Sequence, residues 1–402
     1  MTRPTLLVAS LMREQGYCGV QTHFRAIMAF ARRQGYEAHL VEPHQVSRWI
    51  RKFPSLVTRI LGRIDPERAV LWHRAFSYRY LRASLRRQLR DLAGKPAVIY
   101  AQDPLSARAT LALRREGYQF RLVAVLHFNI SEAYENQFNG LTREGGALWR
   151  NLMRIEQEVL PQLDKVIFVS DYMRRIVGAR NPGMVAVEQA VIANFPEHEV
   201  EQVAEVALRA DIISIGTLEP RKNQGYLLHV LAEAKRLGHR YRMTLAGDGP
   251  SRKEWEALAA RLGILDQIEF LGYVSGASRL LPGHRVYAHA ALMENLPITL
   301  LEALSCGLPV CAPPVGGIPE VFDNGVEGIE WPLDDATVCA QKLIALLENG
   351  ARWQTMSHAA RQRYLTRFSP EVLGPKWIDA ITVESHGAAR TGLTPTLELK
   401  TT

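Results

Sequence analysis

Short β-branched apolar runs alternate with helical patterns along almost the whole chain, and this alternation restricts the fold more than any other feature. Residues 5–9, 38–41, 97–100, 121–126 and 166–169 read as buried parallel strands. Helical patterns follow most of them, at 21–34, 105–116, 146–159 and 172–178. The second half repeats the grammar: strands at 212–215, 243–246, 268–270, 286–289, 309–312 and 328–330, helices at 224–237, 252–262, 300–305 and 337–348. At 402 residues the chain is too long for one ordinary core. The expected fold is therefore α/β, with two doubly wound Rossmann-like domains. Ligands in such sheets sit at the carboxyl ends of the strands, so two sheets facing each other make one cleft. The linker is expected near Ala193-Asn194-Phe195-Pro196, where proline ends a strand. That places an N-terminal domain at 1–194 and a C-terminal one at 195–367. The tail at 385–402, rich in Gly, Thr, Ala and Pro without periodicity, is expected to be disordered.

Composition sets the class. A chain with 47% hydrophobic and 22% charged residues is globular. No apolar run reaches the ~18 residues that span a bilayer. The apolar start is too short for a signal peptide and reads as a first strand, so the expected location is the cytoplasm. Cys18, Cys306, Cys311 and Cys339 show neither metal-type pairing nor a disulfide framework, and are expected to be small buried hydrophobes in a reducing compartment. No metal cluster is visible, and no metal or other cofactor is expected.

The segment from Met293 to Val321 carries most of the functional information. Glu294 and Glu302 stand eight residues apart, with a turn at Pro297 and a helical run from about Ile298 between them. Gly307 and the pair Gly316-Gly317 follow. A helix start beside two fixed carboxylates can hold a ligand that is both a phosphate and a polyol: first-turn amides favour the phosphate, and carboxylates accept from hydroxyls. A nucleotide-sugar is such a ligand. Glu302 is flanked by Leu300, Leu301, Ala303 and Leu304, a setting in which an unpaired carboxylate is costly. Earlier, Gly216 ends a strand and Arg221-Lys222 follow a proline turn. Arginine offers a planar fork and lysine a compact charge, together suited to a diphosphate. Gly247-Asp248-Gly249-Pro250 permits close backbone approach, although an ordinary turn has the same composition.

This constellation resembles the E-x7-E segment of the family 4 glycosyltransferases (glycosyl transferases group 1), retaining enzymes of the GT-B fold. The resemblance is most specific over residues 212–321. It implies that Glu294 contacts sugar hydroxyls near the reacting carbon, that Glu302 binds the ribose, and that amides around Ile298 and Thr299 cap the phosphates. It also implies a nucleotide loop at Gly247 and a segment after Gly272, Tyr273 and Val274, against the base; for Tyr273 itself a place in the core is equally open. The sequence Gly16-Tyr17-Cys18-Gly19-Val20 resembles the family's first glycine-rich loop, with Cys18 in place of one glycine and Gly19 retained. The family places a histidine where His127 ends its strand, close to the transferred sugar. Catalytic candidates are thus His127, Glu294, Arg221 and Lys222. Many family members carry arginine where Thr217 stands, a role that Arg221 is expected to take over. His73, His284 and His289 have no such support. Ser170 is accounted for as a helix N-cap, with Arg174 near the cleft. A terminal helix at about 368–384 is expected, from the resemblance, to cross back to the first domain.

Charge is uneven. Residues 1–195 carry 29 Lys and Arg against 16 Asp and Glu, a balance of +13, whereas the remainder carries −5. Between Ser47 and Lys95 there are 13 basic and three acidic residues. Trp49, Ile50, Phe53, Leu56, Val57, Ile60, Leu61 and Ile64 recur there at helical spacing, interleaved with Arg48, Arg51, Lys52, Arg59 and Arg63, and Pro54 is expected to limit any continuous helix. Two readings stand side by side: docking on the anionic inner face of a membrane beside a lipid-linked acceptor, or a solvated arginine face whose apolar side packs on the domain. No nucleic-acid recognition motif accompanies the charge.

The expected partners are a nucleotide-sugar and a glycan or lipid-linked acceptor, in cell-surface polysaccharide, lipopolysaccharide or glycolipid assembly. Two alternatives remain open. A GT-B sugar-nucleotide epimerase would need no acceptor, and a non-catalytic glycan- or membrane-binding relative would need no turnover.

Overall fold

The computed structural model describes residues 3–16, 18–45, 48–199 and 207–383, and the side chains of these except at 44 and 48–55. Two parallel six-stranded sheets form. The first contains β1 (Thr5–Ala9), β2 (Ala38–Val41), β3 (Ala97–Ala101), β4 (Arg121–Leu126), β5 (Lys165–Phe168) and β6 (Glu188–Val191), in the order β2-β1-β3-β4-β5-β6. The second contains β7 (Ile212–Ile215), β8 (Met243–Ala246), β9 (Ile268–Gly272), β10 (Val286–Ala288), β11 (Val310–Ala312) and β12 (Gly328–Glu330), in the order β12-β11-β10-β7-β8-β9. Strand order reverses between β7 and β10, and the loops leaving those two strands diverge there to leave a crevice.

Strands β1, β3 and β5 are buried at every position, as runs of Leu, Val, Ile and Ala covered by helices on both faces require. β6, which the apolar pattern does not announce, alternates half-buried and exposed residues at the sheet edge and so lacks an apolar run. The helix Gly350–Arg363, also unforeseen, buries only Met356, Ser357 and Ala360 and shows little apolar stripe. Of the cysteines, Cys306, Cys311 and Cys339 are buried as expected. Cys18 is exposed, because it occupies the N-cap position of helix α1 (Gly19–Arg33) at the end of a loop.

The basic insert forms a helical hairpin, α2 (Arg48–Ile64) and α3 (Pro66–Asp91). The expectation that Pro54 would break α2 is not met. Proline there forfeits one backbone bond near the helix start, and the helix runs on through it. α3 follows the solvated-face reading. Its Leu81, Leu85 and Leu89 are buried, Arg74 pairs with Glu132, and Arg82 and Arg86 pair with Glu116. On α2, Leu56, Ile60 and Ile64, one turn apart, are 53%, 52% and 78% exposed, Val57 and Leu61 are half-buried, and the side chains of Trp49, Ile50 and Phe53 lie outside the described residues. No described helix is long and apolar enough to cross a membrane.

The two sheets share apolar packing. One cluster runs from Leu6, Val8 and Val123 through Phe195 and Trp377 to Ile213, Tyr287 and Val310. The terminal helix Pro370–Thr382 crosses back onto the first sheet, and the Trp377 ring meets that of His23 at 4.7 Å while its Nε1 donates to the Ala193 carbonyl at 2.9 Å. The tail at 385–402 lies outside the described residues.

Candidate active site

The crevice between β7 and β10 is where the sequence candidates meet. After β7 the chain passes Gly216 and Thr217, makes a short 3-10 turn at Pro220–Lys222, and reverses at Asn223, whose φ of 53° is left-handed. Asparagine tolerates that conformation. The reversal turns Arg221 and Lys222 towards the loop after β10. Two bonds join the loops: Leu292 N donates to the Arg221 carbonyl at 2.9 Å, and Arg221 Nη1 donates to the Met293 carbonyl at 3.1 Å.

Glu294 is 6% exposed and collects the surrounding positive charge. Lys222 Nζ binds Glu294 Oε1, and Arg221 Nη1 stands 3.7 Å from the same oxygen. His289 Nε2 lies 3.3 Å from it, a close charge contact without hydrogen-bond alignment. Burial pushes the Glu294 carboxyl up; Lys222, His289 and Arg221 outweigh this and hold it well below the usual carboxylate range. Burial lowers His289, and the Glu294 carboxylate beside it opposes that shift. His289 lacked support in the sequence, yet it touches the central carboxylate. The signal that could have found it is its place just past β10, at the carboxyl end of a strand beside the reversal.

Arg221 is partly committed, since its Nη2 also binds Glu219 Oε1 at 2.8 Å. Thr217, where an arginine was expected from the resemblance, is exposed. Glycine is required at two close approaches. A Cβ on Gly247 would stand 1.8 Å from the Gly216 carbonyl oxygen, and one on Gly316, at φ 60°, 1.6 Å from the Glu294 carbonyl oxygen. Gly19, by contrast, opens α1 with nothing within 4 Å of such a Cβ.

The helix Ile298–Ser305 begins immediately after Pro297, so the amides of Ile298 and Thr299 are first-turn groups without intrahelical acceptors. One turn on, Glu302 is half-buried, and burial pushes its carboxyl up to about 7. Among the described residues its carboxylate has no hydrogen bond or ion pair. Tyr273 is 48% exposed, which removes it from the core, and Val274 beside it is half-buried.

Across the cleft, His127 leaves the end of β4 with its Nε2 3.2 Å from Gln102 Oε1. A carbonyl oxygen only accepts, so Nε2 carries the proton and Nδ1 presents a lone pair. Burial lowers His127 to about 3, which makes it a neutral hydrogen-bonding group at physiological pH. Ser170 caps its helix as expected, with Met173 N donating to its Oγ at 3.2 Å, and Arg174 pairs with Asp171. Among the described residues no group of three His, Cys, Asp or Glu side chains gathers to hold a metal.

Taken together, the loops offer two cations, a helix start and two carboxylates on one wall and a neutral imidazole on the other. Comparison with known proteins gives the family. The Glycosyltransferase Family 4 model matches residues 17–194, and the Glycosyl transferases group 1 model matches residues 198–363. The chain is similar to a phosphatidylinositol N-acetylglucosaminyltransferase of Arabidopsis thaliana, 31% identical over 49% of this chain and 45% of that protein, so it spans less than half of that relative's length. It is similar to glycogen synthase of Mycobacterium tuberculosis, 26% identical over 74% of this chain and 72% of that one. Among solved structures, Anabaena HepE in complex with UDP superposes with a TM-score of 0.66 at 19% identity, covering 94% of this chain and 99% of that one, a likeness of fold.

Proposed function

We propose that this chain, which belongs to the family 4 glycosyltransferases, moves a sugar from a nucleotide-sugar donor to an acceptor hydroxyl with retention of anomeric configuration. The observation that carries this reading is the buried Glu294, held by Lys222, Arg221 and His289 beside a helix start, with its neighbour Asn295 bonded to the Phe128 carbonyl next to His127. The diphosphate would lie against Arg221, Lys222 and the amides of Ile298 and Thr299, with Gly216 and Gly247 allowing close approach. Glu302 would accept from the ribose hydroxyls, and Tyr273 and Val274 would border the base. The bond from the anomeric carbon to the phosphate oxygen breaks, and the charge left on that oxygen is met by Arg221 and Lys222. The acceptor oxygen attacks the same face, and its proton passes to the departing phosphate. Glu294 and His127 would hold hydroxyls of the donor sugar. Positive side chains supply the charge this step needs, so the reading invokes no metal or other cofactor.

UDP in the HepE structure supports a nucleoside diphosphate in this fold, and the phosphatidylinositol in the Arabidopsis relative's name supports a lipid acceptor. A lipid-linked acceptor presented at the inner face of the membrane fits helix α2. The Leu56, Ile60 and Ile64 stripe faces outward, and Arg59 and Arg63 beside it make no ion pair among the described residues. A thermal-shift panel of nucleoside diphosphates and nucleotide-sugars tests the reading, because ligand stabilises the folded state in proportion to binding. Stabilisation by at least one, lost in Lys222→Ala, is expected. A flat response to all of them would leave a non-catalytic relative as the better account.

A further inference from the structure

Asn295 lies at the centre of a contact that joins the two walls of the cleft. Its side chain is 3% exposed and bonded on both sides. Asn295 Nδ2 donates to the carbonyl of Phe128 at 3.1 Å, and Ser170 Oγ donates to Asn295 Oδ1 at 2.5 Å. Phe128 follows His127, and Asn295 follows Glu294, so one amide connects the residues next to the two facing candidates. Neighbouring contacts reinforce it. Asn194 Nδ2, in the linker, donates to the Leu296 carbonyl at 3.3 Å. The Glu320 carboxylate accepts from Asp171 N and Tyr172 N, both at 2.8 Å, at the start of the helix that Ser170 caps. Gly317 leaves room for this approach: a Cβ there would stand 2.1 Å from the Asn295 carbonyl oxygen and 2.9 Å from Ser170 Cβ.

We propose that Asn295 is a positioning residue, which fixes the spacing of His127 and Glu294 by tying the loop after β10 to the loop after β4. The amide suits this task because it donates on one side and accepts on the other without adding charge beside Glu294. Aspartate, the same shape, cannot donate to the Phe128 carbonyl. The bond from Asn194 to the Leu296 carbonyl lies beside this seam and supports it. Misplacement by about 1 Å is enough to cost roughly 100-fold in rate without weakening binding of remote ligand groups.

This inference rests on the transferase reading, so its test has one arm that needs no turnover. In the kinetic arm, Asn295→Ala and Asn295→Asp are expected to lower kcat at least tenfold while the donor KM stays within about twofold. Ser170→Ala should lower kcat less, and adding it to Asn295→Ala should lower kcat no further, while the lost helix cap shows only in the melting temperature. In the second arm, nitroxide labels are placed at the exposed Glu144 and Ser275, in a Cys18→Ser background, and their distance distribution is measured without ligand. Asn295→Ala should broaden it. An unchanged distribution, or kcat within threefold of wild type in both variants, would overturn the proposal. An inactive wild type would count against the transferase reading alone, and the distance arm would still decide the role of Asn295.

Discussion

Replacing Glu294 by glutamine should separate nucleotide binding from turnover in opposite directions. In the free protein the Glu294 carboxylate is the partner of both cations assigned to the diphosphate, with Arg221 Nη1 at 3.7 Å. At an effective dielectric near 20 that separation corresponds to about 4 kcal/mol of attraction. A diphosphate bound on the outer side of the same cations would stand about 6 Å from Glu294, a repulsion of ~3 kcal/mol on the same scale. Arg221 and Lys222 are 18% and 19% exposed, so solvent reduces this to about 1 kcal/mol, or roughly fivefold in affinity. Glu294→Gln should therefore bind a nucleoside diphosphate about fivefold more tightly by titration calorimetry, and turn over at least 100-fold more slowly with a nucleotide-sugar. Because the wild-type carboxyl titrates well below the usual range, the affinity gain should be the same at pH 6 and pH 8. The depressed value also contributes stability that is fully present above the unfolded pKa and falls away as pH drops from there through the folded value, so the variant should melt lower at neutral pH. Weaker diphosphate binding in a folded Glu294→Gln protein would refute the reasoning, since it would mean that the carboxylate arranges the cations rather than competing for them.

Two further outcomes follow from other residues. Glu302 ionises only near pH 7, and donation from ribose hydroxyls favours its charged form, so affinity for a nucleotide-sugar should rise about tenfold from pH 6 to pH 8. Glu302→Gln should abolish that slope, and a slope that survives would assign it elsewhere. On α2, changing Leu56, Ile60 and Ile64 together to serine removes about 1 kcal/mol of burial each. Sedimentation with vesicles of phosphatidylglycerol and phosphatidylethanolamine should then weaken by ~100-fold with the melting temperature unchanged, and unaltered sedimentation would remove α2 as the contact.

The fold was legible because parallel strands buried on both faces are written as short apolar runs, and all but one of the twelve runs could be read. The exception, β6, has water on one side. The cleft's charged wall was legible through Glu294, Arg221 and Lys222, because together they carry the resemblance to the family's motif. His289 was not, because its place at the end of a strand becomes a signal only once the pairing of β10 with β7 shows that strand to border the reversal. Asn295 was hidden for a related reason, since its partners Phe128 and Ser170 lie 167 and 125 residues away. The packing of α3 was not legible in advance, because nothing in the local sequence announces its ion pairs with Glu116 and Glu132.

The central claim is most directly tested by following the anomeric proton of the transferred sugar by NMR, with purified enzyme, a nucleotide-sugar that stabilises it and a glycan or lipid-linked acceptor. Release of nucleoside diphosphate with an anomeric coupling in the product that matches the donor, both absent in Lys222→Ala, is the predicted result. A product of inverted configuration, or an altered nucleotide-sugar formed with no acceptor present, would contradict it.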